Sequence, residues 1–260
     1  MSKFIDNLKQ SSQAMPQPMG FGRARPPSLK TRMLFVASLA QADLGGLADC
    51  VAGADAGLLR VSELSSGAKA LQKVSQVVPD IPWGGWLSTD GQGEIKQMTK
   101  AGCDFLVFPA ADTSLARFQG SKVGRILEVG PSLSDSLLRA VSRLPVDAVL
   151  VAGELAEGRL LTWQHLILFQ RFADLLTKPL LVSIPLGVTA GEVKVLWEAG
   201  VDGVVVEVGD EQSSGRLEAL RRAVDKLDFS LLRRQEKVEA LLPHIGGESD
   251  IVTEEDEEEE

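Results

Sequence analysis

The sequence predicts an α/β chain folded as one closed (β/α)8 barrel, and three observations carry that expectation. First, a short helix end, an Asp and an apolar strand recur four times, at Gly53 to Val61, Ala101 to Pro109, Pro145 to Gly153 and Ala199 to Val208. The aspartates are Asp55, Asp104, Asp147 and Asp202, roughly 50 residues apart, the period of a repeated two-strand, two-helix unit. Second, another apolar run lies before the first repeat and between successive members: Thr31 to Ser38, Ile81 to Ser88, Val123 to Gly130 and Lys178 to Pro185. Third, most of these eight runs are apolar on consecutive residues, as parallel strands are when helices cover one face and a packed interior the other.

The intervening segments have helical patterns with the usual start and stop signals. In the clearest, Thr189 and Glu192 form a capping box, Val193, Leu196 and Trp197 follow at helical spacing, and Gly200 ends the helix. Eight such units within residues 31–245 match the size of a TIM barrel. An open doubly wound sheet is the rival, and quarter symmetry over evenly spaced units favours closure.

Residues 1–30 precede the barrel as a short helix and a Pro/Gly-rich arm, and residues 246–260 follow it as an acidic tail of disordered composition. In the arm, Phe4, Ile5 and Leu8 fit one face of a short helix, whereas Gln13 to Ser28 holds four prolines and supports no regular element. Met19 and Phe21 are candidates to plug the lower mouth of the barrel, and Arg23 and Arg25 are an alternative partner-binding or phosphate-binding pair.

The net charge of −9 is local: the tail from Glu248 onward carries nine acidic residues and no basic one, and removing them from the 36 acids leaves as many as the 27 Lys and Arg. A neutral body offers no field for nucleic acid. Basic arm and acidic tail are free to attract each other weakly or to stay solvated. The longest apolar stretch is too short to span a bilayer, no apolar leader is visible, and two cysteines in 260 residues suggest a reducing compartment. The expectation is a cytoplasmic protein with a small-molecule ligand and without nucleic-acid or membrane partners.

In this architecture chemistry sits at the carboxyl ends of the strands. Those positions hold Ser38 and Gln41, Ser62 and Glu63, Ser88 to Asp90, Asp112, Glu128, Glu154, Pro185 to Thr189, and Glu207 with Asp210. Lysine is absent from them, which disfavours a Schiff-base mechanism, and His165 and His244 fall elsewhere. Glu128 and Glu207, each in a Glu-Val-Gly context, are the lone charges in the carboxyl halves of apolar strands. Pointing them outward would bury an unpaired charge, so both are expected to face the mouth, where Glu154 and Glu63, just past their strand ends, are placed to join them. Converging Glu128, Glu154 and Glu207 would suit Mg²⁺ or Mn²⁺ or supply a general base. The competing reading pairs them with Arg60, inside strand 2, or with Arg125. Arg60 would orient an anionic group, and Asp90 stands among the candidate substrate contacts.

The stretch Pro185 to Val206 resembles the end of aldolase-type and phosphate-binding TIM barrels such as the thiamine phosphate synthase and keto-deoxy-phosphogluconate aldolase groups. The resemblance implies a phosphate grip from the loop after strand 7, matched here by Gly187, Val188 and Thr189, and from a Gly-Ser turn after strand 8. At that second loop Glu207, Gly209, Asp210 and Glu211 depart from the pattern, since like charges repel a phosphate. FMN would use the same two loops, with Trp83 and Trp86 as candidates to flank an aromatic ligand. These features lead to a lyase or isomerase acting on a small oxo-acid or phosphorylated metabolite, with a non-catalytic binding or scaffold barrel and an FMN-dependent oxidoreductase as alternatives.

Overall fold

A computed structural model describes residues 2–12, 33–40, 46–61, 64–87, 95–152, 160–208 and 215–227. Eight parallel strands close in sequence order into a barrel: β1 (Leu34–Leu39), β2 (Ala56–Val61), β3 (Trp83–Leu87), β4 (Phe105–Pro109), β5 (Gly124–Val129), β6 (Ala148–Val151), β7 (Leu180–Ile184) and β8 (Gly203–Val208). Closure is made by β1 against β8, from Leu34 opposite Gly203 to Leu39 opposite Val208. Helix α1 (Lys3–Ser12) precedes the barrel. Outside it run α2 (Leu47–Val51), α3 (Leu64–Val77), α4 (Ile95–Lys100), α5 (Asp135–Val141), α6 (Trp163–Leu175), α7 (Ala190–Glu198) and α8 (Arg216–Val224). The expected fourth outer helix is a single 3₁₀ turn, Leu115–Phe118, where Phe118 packs its ring 4.4 Å from Phe108 to cover β4.

Alternation along each strand divides the apolar residues between two cores. Phe35, Leu59, Trp83, Leu106, Val149 and Val204 face the helices, while Val36, Leu58, Trp86, Val107, Ile126, Leu150, Leu181 and Val205 fill the barrel. Space for the large rings comes from glycines on the neighbouring strand. A Cβ on Gly57 would lie 2.4 Å from the Trp83 indole, and one on Gly84 would lie 2.4 Å from Phe105. The paired glycines of β3 therefore make room for Phe105 and, at Gly85, for Met98, not for the indoles on their own strand.

The four repeated aspartates tie the lower ends of the strands together. Their backbone N–H groups donate to the carbonyls of Phe35, Trp83, Arg125 and Leu180 at 2.8 to 2.9 Å. Three carboxylates complete the ring by accepting from an N–H of that same earlier residue: Phe35 to Asp55 at 2.9 Å, Arg125 to Asp147 at 3.0 Å and Leu180 to Asp202 at 2.9 Å. Asp104 is the exception. Its carboxylate accepts from the Ser2 hydroxyl at 2.7 Å and from the backbone N–H groups of Lys3 and Phe4 at 2.8 and 2.9 Å, which caps the start of α1.

Held there, α1 closes the bottom of the barrel. Phe4, Ile5 and Leu8 are buried in the interior core, and Phe4 lies 4.6 Å from Phe105. Gly124 leaves the space that Ile5 occupies, and Lys9 pairs with Asp147 at 2.8 Å. Each buried apolar side chain contributes roughly 1.5 to 3 kcal/mol, so the stopper is part of the fold. The sequence reading gave this task to Met19 and Phe21, which lie outside the described residues; within them, the helix just upstream fills the lower mouth.

The capping box of α7 forms as expected, with Thr189 and Glu192 bonding reciprocally and Gly200 at φ 106° closing the helix. Cys103 is buried, donates to the Phe105 carbonyl at 3.1 Å, and has its thiol pushed from its ordinary 9.0 up to about 12 by burial. No helix among the described residues is long and apolar enough to cross a membrane.

Candidate functional site

The upper mouth is built by the last inward residue of several strands. Period-2 alternation carries the inward face of β1 from Leu34 through Val36 to Ser38, and that of β2 from Ala56 through Leu58 to Arg60. The same count places Trp86 on β3, Glu128 on β5, Ser183 on β7 and Glu207 on β8 on the inner side. Glu128 and Glu207 thus both lie on the inner face of their strands, while their outward neighbours Leu127, Val129, Val206 and Val208 belong to the dry layer under the helices.

A chain of polar contacts crosses this mouth. Glu207 Oε2 lies 3.7 Å from a guanidinium nitrogen of Arg60. The Arg60 guanidinium carbon stands 4.5 Å from the centroid of Trp86. The Trp86 indole N–H donates to Glu128 Oε2 at 2.6 Å. Trp86 is 8 % exposed and fills the barrel below, whereas the side chains of Arg60 and Glu207 are 48 % and 45 % exposed. An exposed ion pair beyond hydrogen-bonding distance contributes at most about 1 kcal/mol, and stacking of an exposed cation on an indole about 0.5 to 1 kcal/mol. Arg60 is therefore positioned but lightly held, which suits a group that grips an anion.

Glu128 and Glu207 have different partners. Trp86 orients Glu128 by a short bond to a rigid ring, and among the described residues its Oε1 has no protein partner. Glu207 is paired with Arg60, as the competing sequence reading held, but Arg125 is not involved. Its guanidinium points away from the mouth, donating to the carbonyls of Phe118 and Pro145 and lying 5.3 Å over the Phe118 ring.

The remaining sequence candidates distribute as follows. Glu154, Asp90 and Gly209 lie outside the described residues, as do Gln41, Ser62, Glu63, Ser88, Thr89 and Asp210. Asp112 is exposed in the turn after β4. Gly187 is exposed with open space around it. The Thr189 N–H and hydroxyl both donate to Glu192 Oε2 at 2.8 Å, so a carboxylate of this chain already occupies the start of α7, where a phosphate would be gripped. His165 caps α6, its Nδ1 accepting from the Thr162 N–H at 3.0 Å.

Among the described residues no three His, Cys, Asp or Glu side chains converge as a metal site, and Glu154, the third expected ligand, lies outside them. Trp83 and Trp86, three residues apart, lie on opposite faces of β3, in the outer and inner cores, so the two indoles cannot flank one ligand.

Two residues gain significance only from the structure. The sequence marks Trp86 as a candidate to flank an aromatic ligand, and only the structure shows its indole N–H reaching Glu128 on β5. Ser38 was visible as a strand-end residue; its burial was not. It is 1 % exposed, and among the described residues its hydroxyl has no hydrogen-bond partner.

Solved structures share this architecture. The carboxyl transferase domain of Rhizobium etli pyruvate carboxylase, determined with pyruvate, matches with a TM-score of 0.55 at 14 % identity, covering 80 % of this chain and 47 % of that one. Thiamine phosphate pyrophosphorylase from Pyrococcus furiosus matches with a TM-score of 0.55 at 12 % identity, covering 74 % and 96 %. Tryptophan synthase from M. tuberculosis matches with a TM-score of 0.54 at 14 % identity, covering 86 % and 98 %. What these structures share with this chain is the (β/α)8 barrel fold. At such identities the likeness extends to architecture and not to activity. No protein-family model matches the chain, and no curated protein matches it.

Proposed function

We propose that this barrel is an enzyme performing acid–base chemistry, an isomerase or lyase, on a small carboxylate-bearing metabolite of the oxo-acid type. Arg60 binds the substrate carboxylate; Glu207, released from Arg60 as that happens, and Glu128, oriented by Trp86, carry protons to and from the carbon next to the substrate carbonyl. The observation behind this reading is the placement of Arg60, stacked 4.5 Å over Trp86 and only loosely paired with Glu207. A cation between two carboxylates fits an anionic substrate better than a metal ion, so the carboxylates are assigned proton transfer instead of ligation. The filled capping box at Thr189 favours a carboxylate over a phosphorylated substrate. The free Cys50 and Cys103 support a reducing compartment such as the cytoplasm.

The test is exchange of substrate protons for solvent deuterium, followed by NMR over a panel of small 2-oxo acids. Enzyme-dependent exchange, lost in Glu207→Gln or Glu128→Gln and weakened in binding by Arg60→Gln, supports the reading. Binding with no exchange for any panel member makes the barrel a binding protein, and no binding of any carboxylate removes the reading altogether.

A further inference from the structure

The β1 residue Ser38 carries the one feature of the mouth that the contacts above leave unexplained. Its hydroxyl is sealed from solvent yet has no partner among the described residues, although buried polar groups in folded proteins are almost always bonded. Register places it directly beside Glu207 on β8 and beside Leu58 on β2, two residues below Arg60. Because β1 lies between β8 and β2, the loose Arg60 to Glu207 contact spans the strand that carries Ser38. Both spanning side chains are about half exposed and held only at 3.7 Å, so an anion that draws Arg60 away from Glu207 would be held on the strand next to the hydroxyl.

We infer that Ser38 is a substrate-binding residue whose hydroxyl donates to the 2-oxygen of a 2-oxo acid held through its carboxylate by Arg60. This rests on the carboxylate reading of the same site and adds the group that selects among carboxylates. Carboxylate and carbonyl are adjacent in a 2-oxo acid, and Arg60 and Ser38 stand on adjacent strands, Arg60 two residues beyond the register partner of Ser38. Ser38 then has a role in the reaction. As Glu207 takes a proton from the carbon beyond the carbonyl, that C–H bond breaks, its electron pair becomes the new C=C bond, and the carbonyl π pair moves onto the 2-oxygen. The resulting enolate oxygen accepts from the Ser38 hydroxyl, while the proton rests on the Glu207 carboxylate. A donor already in place where charge develops acts on the transition state more than on the ground state.

The experiment compares butyrate with 2-oxobutyrate as probes of full-length protein by calorimetric titration. Wild type is expected to bind 2-oxobutyrate at least tenfold more tightly, and Ser38→Ala to bring the two affinities together while leaving that for butyrate unchanged. Ser38→Thr, which keeps the hydroxyl, is expected to retain the preference. If Ser38→Ala binds both acids but still discriminates as wild type does, the role of Ser38 is overturned and the carboxylate reading stands. If wild type binds neither acid, the reading and this inference fall together.

Discussion

Arg60 lies over Trp86, its guanidinium carbon 4.5 Å from the ring centroid, and this stack places a cation at the centre of a mouth whose other charges come from strands on opposite sides. β2 and β3 are adjacent, so register alone sets Arg60 beside Trp86. The indole reaches on to Glu128 on β5, and the guanidinium reaches back to Glu207 on β8.

Replacing Trp86 by Phe keeps a ring for Arg60 and removes the donor to Glu128. The loss of a charge-assisted bond and part of a buried indole should destabilise the fold by about 1 to 3 kcal/mol, measured by denaturant unfolding. Proton exchange should fall, since Glu128 would lose its fixed orientation. Unchanged stability together with unchanged exchange would show that the 2.6 Å contact does no orienting.

Arg60→Gln and Glu207→Gln should separate stability from function. The pair is exposed and longer than a hydrogen bond, so each change should shift the unfolding free energy by less than about 1 kcal/mol. Arg60→Gln should cut carboxylate affinity by tenfold or more, read by titration with 2-oxobutyrate. A large stability loss with intact binding would reverse the assignment.

Ser38→Ala should leave stability unchanged or raise it, because it removes a buried hydroxyl that has no partner among the described residues. A thermal melt in the absence of small acids checks this. A marked fall in Tm would mean that the hydroxyl is bonded in the folded protein.

Asp104→Asn should loosen α1, since its carboxylate accepts three bonds from Ser2, Lys3 and Phe4. The cost should be about 2 kcal/mol, with faster hydrogen exchange at the amides of α1 and little change at β6 to β8. Protection of α1 equal to wild type would show that Phe4, Ile5 and Leu8 hold it unaided.

Cys103 has its thiol raised to about 12 by burial. A thiol kept protonated in the fold but free to ionise in the unfolded chain contributes stability that is present below its ordinary 9.0 and lost as pH rises toward 12. Stability should therefore decline between those values, and less so in Cys103→Ala. Thiol reagents at pH 8 should modify the half-buried Cys50 first and reach Cys103 only on unfolding.

The barrel was legible because the aspartate repeat and the continuous apolar runs both have their cause in the fold: the first ties strand ends together, the second reflects strands covered on two sides. Inward placement of Glu128 and Glu207 followed from the cost of burying a charge under helices. The 3₁₀ turn after β4 was not foreseen, since ring packing by Phe118 leaves no periodic signal over so few residues. Nor was the link through Trp86 to Glu128, because a Trp flanked by apolar residues looks the same whether or not its N–H meets a partner three-dimensionally close and 42 residues away. Ser38 was legible in position and illegible in state, as an unbonded hydroxyl is a property of neighbours from β8 and β2.

The seat of α1 is assembled from distant pieces: Asp104, about one hundred residues downstream, caps its start, and Asp147, farther still, holds Lys9. During synthesis the first twelve residues must wait until at least six staves have been made before they have anywhere to dock. A helix made ahead of every strand is thus among the last elements to be placed, and completion of the cylinder is what secures it.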